Sequence, residues 1–325
     1  MAAIKESIKS TFRKIYRPVG FSKGYNFILF FIFGGALMGF TLARFQFLNI
    51  TGIFCGGGSG SALPGECYYY LGENRYYVGI ILHLGCILPA AFLAVFQFVP
   101  VIRHKVLLYH RIAGYLIILL VLLANVGALM IGRMSFGGGL EVQTAVGVLA
   151  MMSTVGIGLA YYNIKKLQID QHRAWMLRSW VYMGSIITSR LIMTLFAVVI
   201  SSTGGYQMIW PCAKLDYALG ETKVLSKYPA CSTFYDGSNL KQTVIIESDF
   251  GGNKENVAAA VALPFGAALW LSIFLHALGV ELYLRLTPVE SARLRQVSLQ
   301  RQTEAGYRNP GKAGLTSDRL GDCNE

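Results

Sequence analysis

"IAGYLIILLVLLANVGALMIG", residues 112–132, runs for 21 positions without a charged side chain. At about 1.5 Å of rise per helical residue such a run crosses roughly 30 Å of hydrocarbon. A helix apolar on every side, interrupted here by Tyr115 and Asn125, has no face to turn toward water. This stretch therefore reads as a membrane helix, and five more follow on either side of it. They cover approximately Asn26–Ala43, Tyr77–Val99, Val142–Tyr162, Ala174–Ser201 and Val257–Leu284. Hydrophobic residues make up 54% of the 325-residue chain and charged residues 14%, against about 25% charged in soluble domains. Lipid offers backbone groups no partners, and short alternating barrel segments are absent from the sequence. The expected fold is an all-α integral membrane bundle of six transmembrane helices.

Charge sets the expected orientation. With both termini and the turns after the second and fourth helices in the cytosol, that side holds twenty Lys/Arg and seven acids; the other side holds eight of each. The positive-inside rule selects this arrangement. The net charge of +12 is then a topology signal, reinforced by attraction to anionic lipid, and does not require a nucleic-acid partner.

Three regions are expected: a basic cytosolic tail over residues 1–25, a membrane domain over 26–286 with a large non-cytosolic loop at 202–256, and a disordered cytosolic tail over 287–325. The first helix follows about 25 polar residues without a small-residue cleavage site, as in an uncleaved signal anchor. The N-terminal tail reads either as a basic amphipathic helix on the inner leaflet or as a flexible segment. Cys55, Cys67, Cys212 and Cys231 all fall in non-cytosolic loops, where disulfides are permitted. Four cysteines allow three pairings. The local pairs Cys55–Cys67 and Cys212–Cys231 stand beside pairing between the loops. Cys86 and Cys323 are expected to be free thiols. An oxidising far side suits the plasma membrane or the endoplasmic reticulum.

The polar residues inside or at the edge of the spans are the candidates for function. His110-Arg111 and His172-Arg173 open the third and fifth helices, on the same expected side. Their recurrence has two readings: orientation alone, or a site in which helix N-termini, His and Arg hold an anion, with Arg111, Arg173 and Arg178 as its ligands. His110 and His172 at equal depth also satisfy the condition for axial ligation of one haem b. Arg190 lies midway along the fifth span, where a charge costs about 2.5–3.5 kcal/mol, and is expected to face the bundle interior. Glu141 and Glu281 are its possible counter-charges, with depth favouring Glu141. His83, with Arg190, forms the candidate catalytic set for proton or substrate handling; the alternative is that such groups only bond helices together. No Cys/His spacing suits a metal, and no P-loop, G-x-S-x-G or H-E-x-x-H motif occurs.

The segments "LHLGCILPAAFLAVFQFVPVIRHKVLLYHRIAGYL" (82–116), "QHRAWMLRSWVYMGSIITSRL" (171–191) and, more faintly, "WLSIFLHALGVELYL" (270–284) resemble the polytopic membrane family called domain of unknown function 2306. The resemblance rests on His83, Gln97, Phe98, Arg103, His110, Arg111, Gly114, Tyr115, His172, Arg173, Trp175, Met176, Arg178 and Arg190. It covers roughly residues 77–200 and 264–285. The chain departs from the family at His276, where the family has Asn, and keeps the acid that follows as Glu281. The resemblance implies a membrane fold and no particular reaction, so whether the protein is an enzyme stays open. Three functions remain: a redox protein with one b-type haem on His110 and His172, a membrane enzyme or transporter for an anionic small molecule or lipid, and an accessory structural subunit.

Overall fold

The computed structural model describes Ser10, residues 12–58 and residues 61–316. The chain is an all-α membrane bundle with six helical segments, among the described residues, long and apolar enough to cross a membrane. Five of them are α1 (Gly24–Arg44), α2 (Asn74–Gln97), α3 (Leu107–Ile131), α4 (Leu140–Lys165) and α5 (Ile169–Thr203). A two-stranded antiparallel sheet follows, β1 (Gln207–Pro211) with β2 (Thr243–Glu247), and α6 (Cys212–Leu219) lies between the strands in sequence. The sixth span consists of α7 (Lys254–Ala262) and α8 (Phe265–Arg285), and α9 (Pro288–Glu304) closes the chain. The break at Leu263-Pro264 follows from proline, which has no N–H to continue the ladder. Large side chains such as Phe31, Leu108 and Leu191 are at least 70% exposed, as a lipid-facing surface requires.

Two compact units can be distinguished: residues 1–139 with 194–264, and residues 140–193 with 265–325. In the first, α2 packs along α3, with Gly79 and Gly127 at their crossing. A Cβ at Gly127 would lie 2.5 Å from the His83 backbone nitrogen and 2.7 Å from the Gly79 carbonyl oxygen, so glycine sets how closely the helices approach. The segment before α1 is packed. Residues 12–16 are helical, Tyr16 and Phe21 are buried, and the rings of Phe12, Tyr16 and Phe21 meet Phe27 of α1. This replaces the flexible reading over 12–25; residues 1–9 and 11 lie outside the described residues.

The expected large loop is folded. Trp210 of β1, Ile246 of β2, Leu215 of α6, Val224 and Ala258–Ala259 of α7 form its core. Both disulfides are the local pairs, Cys55–Cys67 and Cys212–Cys231, closing loops with separations of 12 and 19 residues. Loops of that size are worth about 3 kcal/mol each through lost freedom of the unfolded chain. Among the described cysteines Cys86 is a free thiol; Cys323 lies outside the described residues.

The second unit corrects the reading of 287–325 as a disordered tail, for residues 288–316. Pro288 at the first position and Glu290 in the first turn start α9 as they start other helices. Glu290 pairs with Arg293 one turn on at 2.7 Å. Ser298 and Gln302 are fully buried. Polar composition suggested solvent, whereas these side chains meet buried polar partners on the α4–α5 turn.

Candidate functional site

Histidine placement separates structural from available groups. In the first unit, His83 of α2 bonds through Nδ1 to the Ala124 carbonyl of α3 at 3.0 Å. That bond fastens the two helices beside the Gly79–Gly127 crossing. In the second unit, His276 spends both ring nitrogens: Nδ1 on the Val181 carbonyl at 2.6 Å and Nε2 on the Thr188 hydroxyl at 2.8 Å. It fastens α8 to α5. His172, in the first turns of α5, bonds through Nδ1 to the Ala160 carbonyl of α4 at 2.9 Å. A carbonyl only accepts, so Nδ1 carries the proton in His83 and His172.

The residues singled out from sequence fall in both units. His83, His110 and Arg111 belong to the first; His172, Arg173, Arg178 and Arg190 belong to the second. His110 is half-buried and Arg111 exposed where α3 begins. The guanidinium of Arg190 lies 5.0 Å from the centre of the Phe265 ring, and Glu141 packs against the adjacent Gly266. Glu281, the other counter-charge considered for Arg190, is engaged by Arg178.

That pairing lines a cavity in the second unit. Arg178 Nε donates to Glu281 Oε1 at 2.6 Å and Nη2 to Oε2 at 3.0 Å, a two-pronged arrangement that fixes both side chains. The indole of Trp175 lies beneath the guanidinium, 4.7 Å from ring centre to Cζ. A cavity of about 460 Å³ opens over this pair. Gln171, Trp175, Arg178 and Tyr182 of α5 line it together with Leu159 of α4 and Glu281 of α8. The α5 residues recur at steps of four, three and four, which places them on one helix face. Leu315 and Thr316, from the chain after α9, complete the wall. Nearby, Arg173 donates to the Tyr283 hydroxyl at 3.3 Å and stands over its ring, and Arg285 lies within electrostatic reach of Glu281. Two guanidinium groups, Arg178 and Arg285, thus act on the Glu281 carboxylate.

Below the cavity a polar cluster holds the α4–α5 turn, in which Leu167 takes a left-handed φ of 55°. Gln168 donates to Asp170 at 2.8 Å, Ser298 donates to the same carboxylate at 2.9 Å, and Gln302 donates to the Gln168 side-chain oxygen at 2.9 Å. Gln168, Asn163, Ser298 and Gln302 are each fully buried. Among the described residues no group of three His, Cys, Asp or Glu is arranged to hold a metal ion.

Sequence reasoning found Arg178 and missed the rest of its surroundings. The stripe Gln171, Trp175, Arg178, Tyr182 was visible as a spacing; Glu281 as its partner and the returning tail were not.

Residues 80–212 match the family model described as "Predicted membrane protein (DUF2306)", which bears out the family resemblance over that stretch. The chain is also similar to "Ava biosynthesis cluster protein G" of Aspergillus versicolor, with 24% identity over 332 aligned positions, covering 87% of this chain and 95% of that protein. No solved structure matches it.

Proposed function

We propose, from the membrane-family match and the printed name of the similar fungal protein, that this multi-pass membrane protein serves small-molecule biosynthesis by binding a compound with an anionic head in the cavity beside Arg178. The carrying observation is the Arg178–Glu281 pair with its Trp175 floor. A guanidinium stacked on the Trp175 ring is held in place for a carboxylate or phosphate that takes over the bidentate seat of Glu281. Arg285 adds a second positive charge beside the single negative one of Glu281, so the surroundings favour an anion. Tyr182, Trp175, Leu159 and Leu315 offer the apolar area that a small molecule's body needs.

Binding precedes either chemical conversion or transfer between leaflets, and Glu281 is placed to exchange a proton with a ligand that displaces it from Arg178. In the positive-inside orientation both termini and this cavity lie on the cytosolic side of the plasma membrane or endoplasmic reticulum. The haem reading ranks second: its ligands, His110 and His172, are not among the described residues that line this cavity. The accessory-subunit reading accounts for His83 and His276, which bond helices together, and leaves the cavity without a role.

The test is native mass spectrometry of protein gently extracted from its own membrane. The wild-type chain is expected to carry a co-purifying anionic compound that Arg178→Ala loses. Identical spectra for the two, or a haem adduct and Soret band that vanish with His172→Ala, would contradict the proposal.

A further inference from the structure

The chain after α9 turns back toward the α4–α5 turn. Gly311, in the left-handed region at φ 91°, donates its N–H to the Gln302 side-chain oxygen at 2.6 Å. Gly314 N–H donates to Gln168 Oε1 at 3.2 Å, and Leu315 N–H to Asn163 Oδ1 at 2.8 Å. Gly314 sits so tightly that a Cβ there would overlap the Gln168 side chain and the Asn163 amide oxygen. The next two residues, Leu315 and Thr316, are walls of the cavity. The two ends of this strap are held differently. Its base is pinned by backbone donors on buried amides, while at its tip the Thr316 hydroxyl is buried with no hydrogen-bond partner.

We infer that residues 311–316 form a lid over the Arg178 cavity, latched by Gly314 in the Asn163–Gln168 notch, and that the ligand enters when this strap lifts. The strap's role in ligand entry rests on the binding reading above; its place in the cavity wall does not. Each backbone bond to a neutral amide contributes a factor of about five, so three of them set a seated-to-lifted ratio on the order of 100. That ratio permits opening on the microsecond-to-millisecond scale of loop and lid motions. Lifting also hydrates the Thr316 hydroxyl, which lowers the cost at the tip. The polar character of the tail now has a reason: amide-to-amide bonds are exchangeable with water, whereas an apolar plug would not release.

The experiment measures maleimide labelling of a cysteine placed at Leu159, in purified full-length protein with Cys86→Ala and Cys323→Ser. With the strap seated, labelling is expected to be slow. Gly314→Val, which cannot seat in the notch, is expected to raise the rate about tenfold or more, since it removes two of the three latching bonds. A chain ending after Lys312 is expected to do the same, and decides the matter should Gly314→Val fail to fold. Unchanged rates in the folded variants would overturn the lid. No ligand is added, so loss of the lid effect and loss of the co-purifying anion in Arg178→Ala are read separately.

Discussion

At the residue scale, a buried side chain matters according to what meets its polar end. His83 and His276 both lie within membrane-spanning helices with ring nitrogens bonded to a neighbouring helix. His276→Ala is therefore expected to lower stability by about 1–3 kcal/mol, the cost of leaving a carbonyl and a hydroxyl unpaired, without changing the occupancy proposed for the Arg178 cavity. A thermal-unfolding series alongside native mass spectra checks both halves. Lys214 is the opposite case. It is 6% exposed, its ammonium lies 3.7 Å from the centre of the Trp210 ring, and burial pushes its pKa down to about 8, with Glu66 opposing the fall. The folded form thus binds its proton less well than the unfolded chain, whose lysine titrates near 10.5. Below pH 8 both states are charged and the penalty is complete; across pH 8 to 10 it is relieved, so stability rises with pH in that window. Lys214→Met is expected to stabilise the folded loop region by on the order of 1–3 kcal/mol at pH 7 and to flatten that pH dependence. Denaturant midpoints at pH 7, 8.5 and 10 would show it. A wild-type midpoint that falls over this range would contradict the assignment.

At the scale of elements, the apolar helices were legible because spanning a bilayer demands a length that few other structures need. The local disulfides were legible only as one alternative of three, because sequence spacing does not exclude pairing between loops. The Arg178 partnership was hidden, since a sequence shows the period of one helix and not its rotation against another. Depth gave Arg190 the choice of Glu141 or Glu281; it did not reveal that Glu281 already has a bidentate partner. The tail helix α9 escaped for a related reason. Its buried residues are Ser298 and Gln302, which hydrophobic periodicity does not count. Close helix contact makes a sharper prediction at this scale. Gly127→Val places a side chain into the His83 and Gly79 backbone and is expected to cost about 2 kcal/mol or more through overpacking, read as lower yield and melting temperature. Gly85→Ala, where a Cβ meets nothing within 4 Å, is the silent control.

At the scale of the whole molecule, the charge asymmetry predicts that His110, His172 and both termini occupy the cytosolic side. Glycosylation tags inserted near residue 308 should stay unmodified and those at residue 240 should be modified; the reverse pattern would invert the orientation. The family match over 80–212 includes Trp175, Arg178 and Tyr182, whereas Glu281 and the returning strap lie beyond it. The stretch matched by the family model thus supplies the Trp175–Arg178–Tyr182 wall, and Glu281 and the strap come from residues after it.

The sign of the cavity's charge preference is the most direct test of the account. In native mass spectra of the protein from its own membrane, Glu281→Gln removes the group competing for Arg178 and should raise occupancy by the anionic compound above wild type. A fall in occupancy, or a bound cation lost with the carboxylate, would show that the cavity recognises something other than an anion.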